Sequence, residues 1–332
     1  MTDAGRLAAH LSAIAGLDAA TYRNHGLHAE DRVWVEKNCY IDVWIELCHA
    51  VGCDPVAMLP FTVAIDFEGD QWTFFKPSHD ELRRLYQLDV QELNVWRSLL
   101  DHTLEHLADG KVISTEADAF WLPDTQGTDY RRQHTKTTII INELDLPGRR
   151  LGYFHNASYH ALEGEDFDKL FRLGEPPDPT YMPLYAETVR TNRALQRPAA
   201  ELRAMSKAFL ATHLARRPRE NPIPRFAQRF ERDLPDITER GLAHYHAWAF
   251  ATIRQLGAAF ELASVWAGWM NDDKLAPAAE AFARISAAAK VFILKAARAV
   301  NGRRALDGSA TFAEMSAAWQ AGMDTLARYL ES

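Results

Sequence analysis

The spacing of apolar residues changes about halfway along the chain. Up to about residue 184, short β-rich runs at Phe61 to Asp66, Gln71 to Phe75, Val112 to Glu116, Thr135 to Leu144 and Leu151 to Phe154 are mixed with helical patterns and Pro/Gly punctuation. This predicts an α+β region. Beyond it, apolar residues recur at helical intervals, as in Trp248, Ile253, Leu256, Phe260 and then Phe282, Ile285, Ala289, Phe292, which predicts a helical bundle. Between the two, residues 174–183 concentrate Pro176, Pro177, Pro179 and Pro183, which can continue neither a helix nor a central strand. The expected domains are therefore 1–183 and 184–332. A second proline-rich break runs from Arg217 to Pro224.

Met1 to Leu17 carries Asp3, Arg6 and His10 among its apolar positions, so it reads as an amphipathic first helix and not as a signal peptide. The most apolar later stretch, His244 to Met270, is interrupted by Arg254, Gln255 and Glu261, and no membrane span is expected.

Composition sharpens this reading. The 332 residues carry a net charge of −8, which argues against a simple basic nucleic-acid binder. The charge is unevenly divided: −14 over residues 1–184 and +6 over the remainder. Three cysteines cannot form a disulfide framework, so reduced thiols and a cytoplasmic setting are expected.

The segment from Asn38 to Gly52 has a helix pattern that opens on a good N-cap residue and stops at glycine. Cys39 then lies in the first turn, where unpaired backbone N–H groups and the positive end of the helix dipole favour a thiolate. Cys48, mid-helix, and Cys53, beyond the helix end, lack that help. A thiol nucleophile also needs a base and a group to orient it. His134 opens a β-branched run that predicts a strand, followed by a turn at Asp145 to Gly148 and a second strand ending at His155 and Asn156. A hairpin brings His134 and the end of that second strand to one edge. With Leu144 opposite Arg149, His155 would share the face of His134, but a one-residue bulge would reverse this, so Asn156 and His155 both stand as orienting candidates. Arg131 and Arg132 could hold a carboxylate or phosphate beside the site, or pair with the acidic half.

Rival motifs are weaker. His102-Thr-Leu-Glu-His106 fits a zinc-peptidase spacing but has no clear third ligand, and its histidines lie off the apolar face of their helix. Asp66 to Asp70 resembles a cation loop but departs from the EF-hand pattern, and reads better as a strand end with a turn. His25 and His28 form a lone pair. Dinucleotide, P-loop and serine-hydrolase motifs are missing.

The segments Asn38 to Leu47, Asp66 to Lys76, Gln91 to Trp96, Asp118 to Arg132 and Gly152 to Asn156 resemble a bacterial family catalogued as domain of unknown function 1839. More distantly, the order of Cys39, Asp118 to Pro123, His134 and a polar residue closing the next strand resembles the N-terminal domain of butirosin-biosynthesis acyltransferases. That resemblance implies a papain-like cysteine-enzyme domain and transfer of an acyl group from a carrier-protein thioester to an amine. It also implies Cys39 as nucleophile, His134 as general base and Asn156 as orienting residue. Papain-like enzymes usually carry a glutamine shortly before the cysteine, and Tyr22 to Asn38 contains none. Asn38 or Gln71 could supply the oxyanion donor instead, since its aim matters more than its type. Asp118, Arg131, Arg132 and His155 complete the substrate-side candidates.

The expectation is thus a papain-like α+β domain with an antiparallel sheet, followed by an all-α domain, acting as a cysteine-dependent acyl or aminoacyl transferase. Trp72, Phe74 and Trp121 are expected to form a dry pocket favouring amine over water. The expected partners are an acyl or peptidyl carrier protein, whose phosphopantetheine arm is part of the substrate, and a small-molecule amine, without nucleic acid, membrane, metal or separate cofactor. An amidase or peptidase and a catalytically inert binding module are the alternatives. The arginines at 216, 217, 219, 225, 229 and 232 could steer an acidic partner or face the acidic half.

Overall fold

The computed structural model describes residues 10–176, 178 and 180–331. The chain divides into two compact units that interleave along the sequence: residues 1–29, 39–55 and 79–197 form one, and residues 30–38, 56–78 and 198–332 the other.

The first unit is built on an antiparallel seven-stranded sheet. Its strands are β1 (His10–Ser12), β2 (Asp89–Glu92), β3 (Lys111–Asp118), β4 (Lys136–Asp145), β5 (Arg150–His155), β6 (Ser158–Glu163) and β7 (Ala186–Arg190). They pair in the order β2, β7, β3, β4, β5, β6, and β1 pairs with the end of β4. The helices of this unit are α1 (Cys39–Ala50), α2 (His79–Tyr86), α3 (Leu99–Ala108) and α4 (Glu165–Leu170). One sheet face, with Ile139, Ile141 and Tyr153, is closed by Leu104 and Leu107 of α3 and Phe167 of α4. The other receives α1, whose Cys39 meets Thr138 of β4.

β4 forms where the sequence predicts it, because Thr137 to Ile141 are all β-branched and fit a pleated, buried surface. One detail of the hairpin differs from the simple register. Asp145 pairs with Arg150 and Leu144 with Leu151, but a bulge at Asn142 shifts the pairing, so that His155 stands opposite Ile139. The bulged residue is occupied elsewhere: Asn142 Oδ1 accepts from Ile14 N at 2.8 Å, and its Nδ2 donates to Ile14 O at 3.1 Å.

Several local expectations are corrected. His10–Ser12 is a strand, not part of an N-terminal helix, and residues 1–9 of that expected helix lie outside the described residues. Of the run read as a strand from Phe61 to Asp66, Phe61 to Ala64 fall in a 3₁₀ segment, Pro55–Ala64. Gln71 to Phe75 forms only the isolated bridge Phe67 to Trp72, closing the turn at Gly69. β7 lies beyond Pro183, yet it is inserted between β2 and β3, so the first unit continues to Arg197.

The second unit is helical, with α5 (Ala199–Ala215), α6 (Ile223–Arg240), α7 (Leu242–Ala251), α8 (Ile253–Trp269), α9 (Ala276–Asn301) and α10 (Ser309–Glu331). Residues 30–38 join it through specific bonds. Glu261 accepts from the backbone N–H groups of Val33 and Trp34 at 2.9 and 3.2 Å, and the Trp34 indole donates to Ser286 Oγ at 3.1 Å. Among the described residues, no helix is long and apolar enough to cross a membrane.

Gly257 of α8 lies beneath the Trp34 ring, where an added Cβ would fall 2.5 Å from Trp34 Cζ2 and 2.9 Å from Ala289 Cβ. Gly257→Ala gains up to about 1 kcal/mol of helix propensity, but overpacking costs about 1–3 kcal/mol. The variant is expected to be net destabilised, read as a lower urea midpoint with an unchanged slope.

Candidate functional site

α1 is fixed by a buried polar clamp. Asp42 and Glu46, one turn apart, both turn toward His28, and all three side chains are fully buried. His28 Nε2 bonds Asp42 Oδ1 at 3.0 Å, and Nδ1 bonds Glu46 Oε1. Glu46 Oε2 accepts from Tyr22 Oη at 2.7 Å, and Oε1 accepts from the backbone N–H of His25 at 3.0 Å. Burial, reinforced by Glu46, pushes the Tyr22 hydroxyl far above its ordinary value, so it remains a donor. The lone His pair of the sequence thus includes the anchor of the helix.

Cys39 is the first residue of α1 and is partly exposed. Its thiol donates to Thr138 Oγ1 at 3.9 Å, a long contact even for sulfur. The next residue, Tyr40, extends the polar surroundings: its hydroxyl meets His79 Nε2 at 2.9 Å and Glu187 Oε2 at 3.2 Å. Tyr185 Oη also donates to Glu187 Oε1, at 2.8 Å. Cys48 is fully buried, and desolvation pushes its thiol well above the usual range; burial and then Asp54 push Cys53 up to about 11.

His134 lies two residues before the first residue of β4. Its Nδ1 bonds Asp118 Oδ2 at 2.6 Å, and its ring stacks on Phe120 with centroids 4.4 Å apart. The pair is formed by strand pairing, since Asp118 closes β3 opposite Lys136 at the start of β4. The other Asp118 oxygen accepts from Phe120 N at 3.1 Å, which fixes the carboxylate. His134 is 69% exposed in its side chain, so the ring is oriented and remains accessible. Asp118, named from sequence as a substrate-side candidate, is therefore the residue on His134. No hydrogen bond joins His134 to Cys39 or to Asn156 among the described residues.

The bulge sends His155 to the opposite face. His155 Nε2 bonds Thr137 Oγ1 at 2.8 Å, and Nδ1 bonds Asp124 Oδ2 at 2.5 Å. Tyr153 Oη donates to the other Asp124 oxygen. Burial works to raise the Asp124 carboxyl, but the hydrogen bond and charge of His155, joined by His160, hold it below the usual carboxylate range. This face is the hydrophobic core, and the group braces the start of β4 from behind. Asn156 occupies the turn between β5 and β6 with φ of 47°, a left-handed conformation that asparagine tolerates.

The remaining candidates have defined partners. The Asn38 amide is buried and donates to Phe75 O at 3.0 Å, while Gln71 is exposed and its carbonyl accepts from Glu68 N. Arg131 lies over the Trp121 ring and is paired with Asp166 at 2.6 Å and Glu165 at 3.2 Å, and Arg132 donates to Gly127 O. Trp72 is not a pocket wall: it is buried in the second unit against Phe67 and Phe226. Glu105 of the zinc-like motif pairs with Arg97, and no group of three or more His, Cys, Asp or Glu side chains able to hold a metal occurs among the described residues.

Comparison with protein families gives two consecutive matches. Residues 23–191 match the DUF1839 N-terminal domain and residues 199–328 the DUF1839 C-terminal domain. No curated protein matches the chain.

Two outcomes are expected. His28→Ala leaves Asp42 and Glu46 buried without their shared hydrogen-bond partner, a change that costs about 1–3 kcal/mol, read as a fall in the denaturant midpoint. Iodoacetamide near neutral pH is expected to alkylate Cys39 first, with Cys48 and Cys53 modified only on unfolding or at strongly alkaline pH. Peptide mass spectrometry over a time course checks this order.

Proposed function

The chain belongs to the DUF1839 family, and we propose that its first unit is a papain-like cysteine acyltransferase centre. The observation that carries this reading is the 2.6 Å hydrogen bond from His134 Nδ1 to Asp118 Oδ2. It fixes one ring nitrogen and leaves Nε2 as the proton acceptor, at the entrance of the strand whose Thr138 meets the Cys39 sulfur. Asp118 takes the orienting role in this reading, in preference to Asn156.

In the proposed reaction Cys39 Sγ attacks the carbonyl carbon of an acyl thioester while His134 takes the thiol proton. The bond to the departing sulfur breaks, the proton passes to that thiolate, and the acyl group remains on Cys39. An amine nitrogen then attacks, its proton goes to His134 and on to Sγ, and the amide leaves. The approach of sulfur and imidazole is completed with substrate bound, since catalytic hydrogen bonds tighten in the reacting complex. The donor is an acyl or peptidyl carrier protein and the acceptor a small amine.

The test is mass spectrometry of the full chain mixed with an acylated carrier protein. An acyl adduct on Cys39 is expected, lost faster with added amine than in buffer. Cys39→Ala should abolish the adduct, and His134→Ala should slow its formation by about 10²–10⁴-fold, with Asp118→Asn following in the same direction. If buffer alone clears the adduct as fast as amine does, the centre is a hydrolase. If no adduct forms and Cys39 reacts no faster than the buried thiols, the proposal fails.

A further inference from the structure

A pocket of 170 Å³ in the second unit is lined by Phe67, Gly69, Arg225, Gln228, Arg229 and Arg232. The three arginines are four and then three residues apart on α6, so they share one helix face. Two of them are held in place by backbone oxygens. Arg225 donates Nη1 to Phe67 O at 3.0 Å and Nη2 to Asp66 Oδ1 at 2.5 Å. Arg229 donates Nη1 to Gly69 O at 2.6 Å and Nε to Asp233 Oδ2 at 2.6 Å. Arg232 is 70% exposed, and its Nε has only a distant ion pair, 3.8 Å from Asp233 Oδ1.

This arrangement differs from a set of ordinary surface ion pairs. The carbonyls of Phe67 and Gly69 fix the direction of two guanidinium groups without neutralising them. Asp66 and Asp233 are the carboxylates bound to the arginines. Of the nearby acids, Glu68 is drawn to Thr73 Oγ1, and Asp70 is exposed in the turn. The Gly69 backbone has φ of 100°, a conformation that favours glycine and presents its carbonyl to Arg229. The Phe67 ring, buried against Phe226 at 5.2 Å, gives the pocket an apolar floor. Gln228 adds an exposed amide on the same wall.

Preset guanidinium forks match the oxygens of a phosphate group, which can accept from several donors at once. We infer that this pocket binds the phosphate group of a small phosphomonoester, with Arg229 and Arg232 as its ligands and Arg225 as the anchor of the opposing loop. The inference is independent of the chemistry proposed for Cys39.

Isothermal titration of the full chain tests it, with inorganic phosphate in one arm and phosphoethanolamine in the other, both against sodium chloride at matched ionic strength. Saturable binding with Kd near or below about 1 mM is expected. Arg232→Gln, which leaves the loop anchors untouched, should weaken it about tenfold, as loss of a charged hydrogen bond does. Arg229→Gln should weaken it at least as much, while Arg217→Gln, in the same basic cluster but outside the pocket, should leave Kd unchanged. Tighter binding of the ester than of phosphate supports the site and shows that the organic part is read; equal binding supports it with the phosphate group alone recognised. No saturable binding, an equal response to chloride, or wild-type affinity in a folded Arg229→Gln/Arg232→Gln variant overturns the inference.

Discussion

One extra residue in β4 decides which polar groups of the first unit can meet. Side chains alternate between the faces of a strand, so an insertion reverses the facing of everything beyond it relative to its neighbour. The bulge at Asn142 sets His155 opposite Ile139. His155 therefore bonds Thr137 and Asp124 on the core side, whereas Thr138 meets Cys39 on the side of α1. The two polar groups are back to back through adjacent residues of one strand. Asn142 is held at the bulge by two hydrogen bonds to Ile14, so the register is fixed by side-chain chemistry as well as by the strand pairing.

The division of labour between the two histidines follows. His155 has both ring nitrogens committed in a nearly sealed environment. His134 has one nitrogen committed and most of its side chain open to solvent. A histidine needed for proton transfer requires a free nitrogen and access, and one needed for bracing does not. The same contrast separates the cysteines: burial disfavours thiolate at Cys48 and Cys53, while Cys39 alone stands at a helix start with partial exposure.

Much of this was legible in the sequence, and what was not has definite causes. The β-branched run gives β4, and the interval from Asn38 to Gly52 gives α1, because both signals are local. The helical second half follows from its periodicity. The hairpin register could not be read, since nothing local distinguishes the bulged Asn142 from an ordinary strand asparagine. The partner of His134 was hidden for a related reason: it depends on β3 pairing with β4, a contact set by the whole sheet. Asp42 and Glu46 stand out on an apolar helix, but their partner lies upstream at His28 in a segment with no regular pattern. The run from Phe61 to Asp66 satisfies a strand pattern in composition alone, and most of it falls in the 3₁₀ segment Pro55–Ala64.

The grip on His28 also has a mechanical side. Two holds one turn apart on the same imidazole restrain both the rotation of α1 about its axis and its translation along it. A sulfur at the end of a loosely held helix would sweep an arc; this one starts from a fixed bearing. His134 is held by one hydrogen bond, to Asp118, and by a stack on Phe120, a looser restraint than two bonds to one ring. In the proposed reaction, the motion that brings sulfur and imidazole together falls to the ring, with the helix serving as the stationary jaw.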